Sequence, residues 1–356
     1  MKGSPSSDSS IDSEDGRTAV AAGERDTEPA GRGVPRGPRR DAAFGAPTGA
    51  YPISRGAPER KLQRIDRYDR FAEVVEVEAL TPTGTVRMTF RVLDDQPFDY
   101  DPGQFIGIRS FIPGKGWRRT PYCLVSPPNE EKTFQLLIRL VPNGPLSIYL
   151  ASLRIGDSIN FRGPTGRSMI PKQDYDELVL MATGVGIGPL LLLAQRLTAE
   201  GSAQRMRLFW GLRLQEDLCF LDELDELARA NLHFTYQLSL TRPPPGWTGL
   251  RGRITESVPS LIPTLGNKRF YLVGNGAMTE EIGVVLSDLG VDRAFIYAEP
   301  FFNTRHQPEP DVLAAIRQRF VAADLFSPYR DDGGLLHLER PIAVRRQEAA
   351  ASRDPK

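Results

Sequence analysis

The chain has 356 residues, and 45 Lys+Arg balance 45 Asp+Glu, so no global field draws it toward nucleic acid or an anionic membrane. Two cysteines, Cys123 and Cys219, exclude a disulfide scaffold and any four-cysteine zinc or iron–sulfur site within the chain. Three scattered histidines (His233, His306, His337) form no i,i+4 pair of the metal-binding kind, so chemistry must come from an organic cofactor or from carboxylate, hydroxyl or lone-thiol groups.

At about 150 residues per domain the length predicts two domains. Residues 1–62 read as a disordered tail. The first sixty positions hold seven prolines and nine glycines but one Phe and one Tyr, too little apolar area to offset the entropy of ordering. The acidic opening SSDSSIDSEDG is unlike an acid-poor transit peptide, and no secretory apolar region follows Met1. With so little cysteine, the cytoplasm is the expected compartment.

Over 63–171 the pattern is antiparallel β. Runs at 71–80, 85–93, 104–110, 122–126, 134–141 and 157–163 are separated by Gly, Pro and Asn turns, with one short helix at 145–153. They predict a barrel or sandwich. From 172 to 302, strands at 178–183, 207–212, 234–240, 269–275 and 294–299 alternate with helices at 189–199, 219–230 and 277–289. That βαβ alternation predicts a mainly parallel sheet covered on both faces. Residues 303–356 form an extension, in which Val312, Ile316 and Phe320 at i,i+4 spacing mark one amphipathic helix before a loose end past Tyr329. The uncharged stretch 178–194 falls short of the ~20 residues a membrane span needs. Its glycines and proline make it a strand, a turn and a helix start.

The turn itself, ATGVGIGP (182–189), follows an apolar strand and precedes a leucine-rich helix. Glycines let backbone N–H groups approach a phosphate, and the helix N-terminus adds partial positive charge. Thr183, Gly184 and Gly186 are therefore candidate nucleotide contacts, and Pro189 suits the first helical position. A plain strand-to-helix turn needs glycine too, so the loop alone decides little. The usual dinucleotide fingerprint requires an acid about twenty positions on, at the end of the second strand, for a ribose 2′-hydroxyl. Arg213 stands there instead, which suggests a negative group on the ribose. No Walker lysine follows, against a P-loop NTPase. Phe209 and Trp210 read as core residues, DELDELARA (222–230) as a solvated helix face, and His233 as having no evident partner. Cys219 opens a helix, where a thiol pKa can fall, although a structural cysteine is the better reading.

A barrel followed by an α/β domain with TGVGIGP resembles the ferredoxin–NADP reductase superfamily over about residues 67–302. PGQF (102–105) looks like its barrel-strand signature. NGPLSIYLASLRIGDSINFRGPTG (143–166) is similar to its flavin-diphosphate segment. FWGLRLQEDLCFLDEL (209–224) and YLVGNGAM (271–278) occupy the places of two later motifs. Within the superfamily the motifs are most similar to bacterial ferredoxin–NADP reductases. The resemblance implies that Gly144, Pro145, Leu146 and Ser147 hold flavin phosphate, and that Gly274 and Asn275 line the nucleotide site. It also implies that Arg213, Arg242 (LTRP) and Arg253 (RGRI) surround the 2′-phosphate of NADP(H).

The sequence departs from the family's Arg-x-Tyr-Ser/Thr pattern in RRTPYCLVS (118–126). Tyr122 keeps the flavin-stacking position, Cys123 stands for the hydroxyl near flavin N5, Thr120 occupies the arginine position, and Arg119, one residue early, is expected to reach the flavin phosphate from a shifted strand. Val273 stands where many members have a cysteine. Glu299 matches the carboxylate near the flavin, and Phe302 the aromatic that covers it. The expectation is an FAD enzyme exchanging a hydride with NADP(H) and electrons with a separate carrier, a ferredoxin or flavodoxin. Cys123 and Glu299 are its candidate catalytic groups. GWTGLRG (246–252) supports an alternative, an NADH-dependent reductase component of an oxygenase system. The motif departures support another, a flavin- or nucleotide-binding regulator with weakened catalysis.

Overall fold

The computed structural model describes residues 69–112, 116–140, 144–172 and 175–326, all inside one compact unit of residues 64–356. The expected tails, 1–62 and the stretch past Tyr329, lie outside the described residues.

Alternating inward side chains build the first layer. Strands β1 (Arg70–Ala79), β2 (Thr85–Val92), β3 (Phe105–Ile112), β4 (Gly116–Cys123) and β5 (Thr133–Arg139) precede helix α1 (Pro145–Ser152) and strand β6 (Ser158–Thr165). They form one six-stranded antiparallel sheet in the order β4-β3-β6-β1-β2-β5. Its two edges meet where the Val125 N–H, just past β4, donates to the Gln135 carbonyl at 3.1 Å, curling the sheet into a barrel. Phe90, Phe98, Phe134 and Phe161 fill the interior, with neighbouring ring centroids 5.2–5.9 Å apart. Aromatic packing of this kind dominates the energetics of a small core.

The fourth strand begins six residues earlier than the sequence pattern suggests, at Gly116 rather than Tyr122. GWRRTPYC is charged and contains Pro121, so it lacks a strand's signature. Pro121 is tolerated because β4 ends the sheet order, where a missing N–H breaks no interior ladder.

The second layer alternates strands and helices: β7 (Glu177–Thr183), α2 (Ile187–Ala199), β8 (Arg205–Leu212), α3 (Leu221–Ala230) and β9 (Phe234–Leu240). There follow β10 (Leu250–Arg251), α4 (Ile254–Ser257), β11 (Lys268–Asn275), α5 (Gly276–Asp288) and β12 (Ile296–Phe302). All six strands are parallel, in the order β10-β9-β8-β7-β11-β12. The continuous apolar runs of β7 and β11 are buried on both faces, as a covered parallel sheet requires. Strand order reverses between β7 and β11, the place where such sheets open a ligand crevice. The stretch 178–194 is thus β7, a turn and the start of α2. Among the described residues no helix is long and apolar enough to cross a membrane.

The extension contributes α6 (Pro310–Phe326). Ile316 and Phe320 bury themselves in the core that α5 and the Pro259–Leu261 turn also line. The helix therefore packs on the nucleotide domain, and its burial gives a test. Phe320→Ala should destabilise the protein by about 3–5 kcal/mol in urea unfolding, the usual cost of an emptied aromatic site. Arg317→Ala, on the exposed face, should stay within about 0.5 kcal/mol.

Candidate active site

The glycine loop sits at the reversal point and is held from three sides. A Cβ at Gly186 would lie 2.3 Å from the Val273 carbonyl oxygen, and one at Gly274 would lie 2.3 Å from Thr183 Oγ1. Only glycine permits that approach of two backbones. Thr183 Oγ1 accepts from the Asn275 N–H at 2.7 Å, and Trp210 Nε1 donates to the Gly184 carbonyl at 2.9 Å. Gly184 adopts φ +55°, with open space where a side chain would stand. The loop is a 3-10 turn, Gly184–Gly186, and α2 begins at Ile187, so Pro189 occupies the third helical position rather than the first. It still falls within the first turn, where a missing N–H costs nothing.

A cavity of about 440 Å³ opens over this loop. Thr183, Gly184, Arg213, Arg253, Asn275 and Phe302 line it, together with Thr85 and Arg139 from the barrel. The space left by Gly184, the helix start behind it and the flanking guanidinium groups fit a nicotinamide nucleotide. Arg213, Arg242 and Arg253 follow the C-terminal ends of three neighbouring strands, β8, β9 and β10. The Arg242 N–H donates to the Arg213 carbonyl at 2.9 Å, which ties the first two turns together. Arg242 itself does not line the cavity. Arg253 is not idle: its Nη2 donates to Glu281 Oε2 at 3.4 Å.

On the barrel side, Cys123 is buried and its Sγ donates to Glu299 Oε1 at 3.6 Å, while Tyr297 Oη donates to Glu299 Oε2 at 2.6 Å. Glu299 pairs in register with Val273 of β11, but neither it nor Cys123 nor Tyr122 lines the cavity over the glycine loop. Burial, then the charge and hydrogen bond of Glu299, pushes the Cys123 thiol well above its ordinary range. The helix expected over 219–230 begins only at Leu221, with Phe220 as its N-cap, so Cys219 precedes it, and burial pushes that thiol up to about 12. Tyr122 is half-buried, and its burial raises the hydroxyl to about 12.

Strand alternation divides the remaining flavin candidates. Thr120 and Tyr122 share one face of β4, opposite Ile108 and Ile106 of β3, while Arg119 takes the other face, opposite Arg109. There Arg119 Nη2 and Arg162 Nε lie 2.5 and 2.7 Å from Asp69 Oδ1. Burial pushes the Asp69 carboxyl up, but Arg162 and Arg119 outweigh it and hold the group below the usual range. Arg119 Nη1 is buried and has no hydrogen-bond partner among the described residues. Helix α1 opens on Gly144 with Pro145 in its first turn, no side-chain cap and no acid beside Leu146 and Ser147. That terminus suits a phosphate. The Ser147 hydroxyl donates to the Gly144 carbonyl at 2.9 Å.

Several site residues carried no motif in the sequence. Asp217 accepts from Thr83 Oγ1 at 2.6 Å and from Arg139 Nη1 at 3.0 Å, pinning the loop after β8 to the barrel. Trp210 is core, as expected, yet its indole N–H also braces the glycine loop. Glu281 and His306 meet at 3.1 Å across 25 positions, a pairing no local spacing announces.

Comparison with known proteins supplies the wider setting. Residues 72–170 match the model of an oxidoreductase FAD-binding domain, and residues 180–283 that of an oxidoreductase NAD-binding domain. The chain is 27% identical over 237 residues to ferredoxin–NADP reductase B of Sorangium cellulosum, covering 65% of this chain and 96% of that protein. It is 30% identical over 198 residues to NADH-cytochrome b5 reductase 1 of Dictyostelium discoideum, covering 55% of this chain and 69% of that protein. Further relatives are named as reductase components of oxygenase systems. A solved ferredoxin NADP+ reductase from Neisseria gonorrhoeae with bound FAD and NADP matches at 25% identity with a TM-score of 0.56, covering 67% of this chain and 100% of that one.

With both thiols pushed up, neither should be a ready nucleophile. Ellman's reagent at pH 8 should find almost no reactive cysteine in the native protein and both Cys123 and Cys219 after denaturation in guanidinium. Rapid native labelling located at Cys123 by peptide mapping would contradict its burial.

Proposed function

The chain belongs to the ferredoxin–NADP reductase superfamily, and from that premise we propose that it exchanges a hydride with NADP(H) and electrons with a separate ferredoxin or flavodoxin. Its FAD-binding and NAD-binding domains make it a flavin- and NAD(P)-dependent oxidoreductase. The bound flavin supplies the exchange between a two-electron hydride and single-electron transfers. The two cysteines of this sequence cannot furnish the four thiolates of an iron–sulfur cluster, which supports a carrier outside it.

The observation that carries the reading is the row of guanidinium groups at the ends of β8, β9 and β10, two of them in the wall of the cavity over the glycine loop. A dianionic 2′-phosphate is held best by convergent guanidinium forks. In this reading Gly184 and Gly186 keep the backbone open to the pyrophosphate, while Thr183 and Asn275 fix the loop beneath it. Gly274 lets the two turns close. Tyr122 stacks on the flavin ring, and the first turn of α1, Gly144–Ser147, holds its phosphates in the absence of an arginine at position 120. Cys123, kept protonated by burial, gives its one S–H to Glu299, so in this reading it would have to turn from that carboxylate to donate at the flavin edge. Phe302, about half exposed, covers the reacting face.

A second reading keeps the fold and makes the chain an NADH-dependent reductase component of an oxygenase system. One observation favours it: Arg253 already has a carboxylate partner in Glu281.

The purified protein should be yellow, and NADPH added without oxygen should bleach its visible flavin band. Arg213→Ala should raise the KM for NADPH about 10- to 100-fold, the loss of roughly 1.5–3 kcal/mol for one hydrogen bond to a charged group, and leave the KM for NADH nearly unchanged. A strong preference of the native chain for NADH would sink the 2′-phosphate assignment. A flavin that fails to bleach with either nucleotide would point to a binding protein.

A further inference from the structure

Glu281 lies in α5 with a side chain only 3% exposed, and its two oxygens are divided between two partners. Oε1 is 3.1 Å from His306 Nε2, and Oε2 accepts from Arg253 Nη2 at 3.4 Å. His306 belongs to the segment between β12 and α6, just past the expected end of the nucleotide domain. Arg253 is 46% exposed and lines the cavity. Glu256 of α4 accepts from the Arg253 backbone N–H at 3.2 Å, a helix cap that does not engage the guanidinium. Burying a carboxylate is costly unless it is paired. The hydride-transfer reading uses Arg253 and gives no task to Glu281 or His306.

We propose that Glu281 is a built-in counter-ion for Arg253 and thereby a specificity-determining residue of the nucleotide site. The inference rests on the reading of Arg253 as a 2′-phosphate contact. When the ribose carries a plain 2′-hydroxyl, Glu281 satisfies the guanidinium. When it carries a phosphate, the phosphate must compete with a carboxylate already in place. The geometry suits such exchange. At 3.4 Å the Arg253–Glu281 contact is long for a charge-assisted hydrogen bond, and a half-exposed guanidinium has further donors to offer. Glu281 also subtracts one positive charge from the field a phosphate would feel. His306 draws on the other oxygen and so limits the hold of Glu281 on Arg253. The outcome is a site that accepts both NADPH and NADH, with less discrimination than its arginines alone would impose.

The test is calorimetric titration of the flavin-loaded full chain with adenosine 2′,5′-bisphosphate and with adenosine 5′-monophosphate. Glu281→Gln should bind the bisphosphate roughly fivefold tighter, as removal of one nearby like-signed charge predicts, and bind the monophosphate as the native chain does. The KM for NADPH should fall by a similar factor with kcat unchanged. His306→Ala leaves Glu281 wholly to Arg253 and should shift bisphosphate affinity the opposite way. Structural damage would weaken both variants for both ligands, so opposite signs identify the counter-ion role even if one variant folds poorly. Unchanged or weaker bisphosphate binding by Glu281→Gln, or unchanged or tighter binding by His306→Ala, overturns the inference. Arg253→Ala separates the two levels. If it spares bisphosphate binding, Arg253 is not a 2′-phosphate contact and the reading on which this inference rests falls; if it weakens that binding while Glu281→Gln does not tighten it, only the counter-ion falls.

Discussion

Everything at the site depends on the contact between the turns that leave β7 and β11. The Gly186 and Gly274 positions admit no side chain, because the backbones of Val273 and Thr183 stand where a Cβ would go. The Thr183 hydroxyl then fastens the two turns through the Asn275 N–H. Because the strand order extends to both sides of this junction, β8, β9 and β10 carry the arginines to one side. Strand β12 carries Glu299 and Phe302 to the other. Widening the junction by one methyl group would separate the loop from both.

The junction is useful only if the barrel is fixed against it, and several interactions do so. Leu192 of α2 belongs to the barrel core, and Leu137 and Met169 belong to the core under the parallel sheet. The Tyr271 hydroxyl donates to the Met169 carbonyl at 2.6 Å. Asp217 anchors the loop after β8 to Thr83 and Arg139. Burial pushes that carboxyl up, yet Thr83, the Leu214 N–H and Arg139 together hold it below its usual range, so it stays charged in the tie. These ties keep Cys123 of the barrel within 3.6 Å of Glu299 on β12.

What the sequence made legible was local or periodic. The buried runs of β7 and β11, the glycine turn and the i,i+4 stripe of α6 are written in neighbouring residues, and each folds as its pattern implies. The arginines were found one by one at strand ends, and parallel order alone brought the strand ends together. What was not legible depended on the third dimension. Gly116–Cys123 is a strand because of its partner β3, not because of its charged composition. Arg119 turns away from Tyr122 because an offset of one residue reverses the face. Cys219 does not open the helix as read, because α3 starts at Leu221 behind Phe220, and burial sets its thiol instead. Glu281 and His306 have no motif because their acquaintance is made across the fold.

Phe302 sits at the cavity wall in the middle of a continuous chain. On one side β12 fixes it in register with Asn275. On the other, the Asn303 carbonyl presses so closely on Gly276 that a Cβ there would lie 2.1 Å away. Beyond it the chain is anchored again by α6. With the backbone clamped before and after, the aromatic ring can clear the cavity only by turning about its own side-chain bonds, not by lifting a chain end. The ring at this cavity wall therefore moves as a rotamer, and side-chain rotation belongs to a faster class of motion than the displacement of a segment.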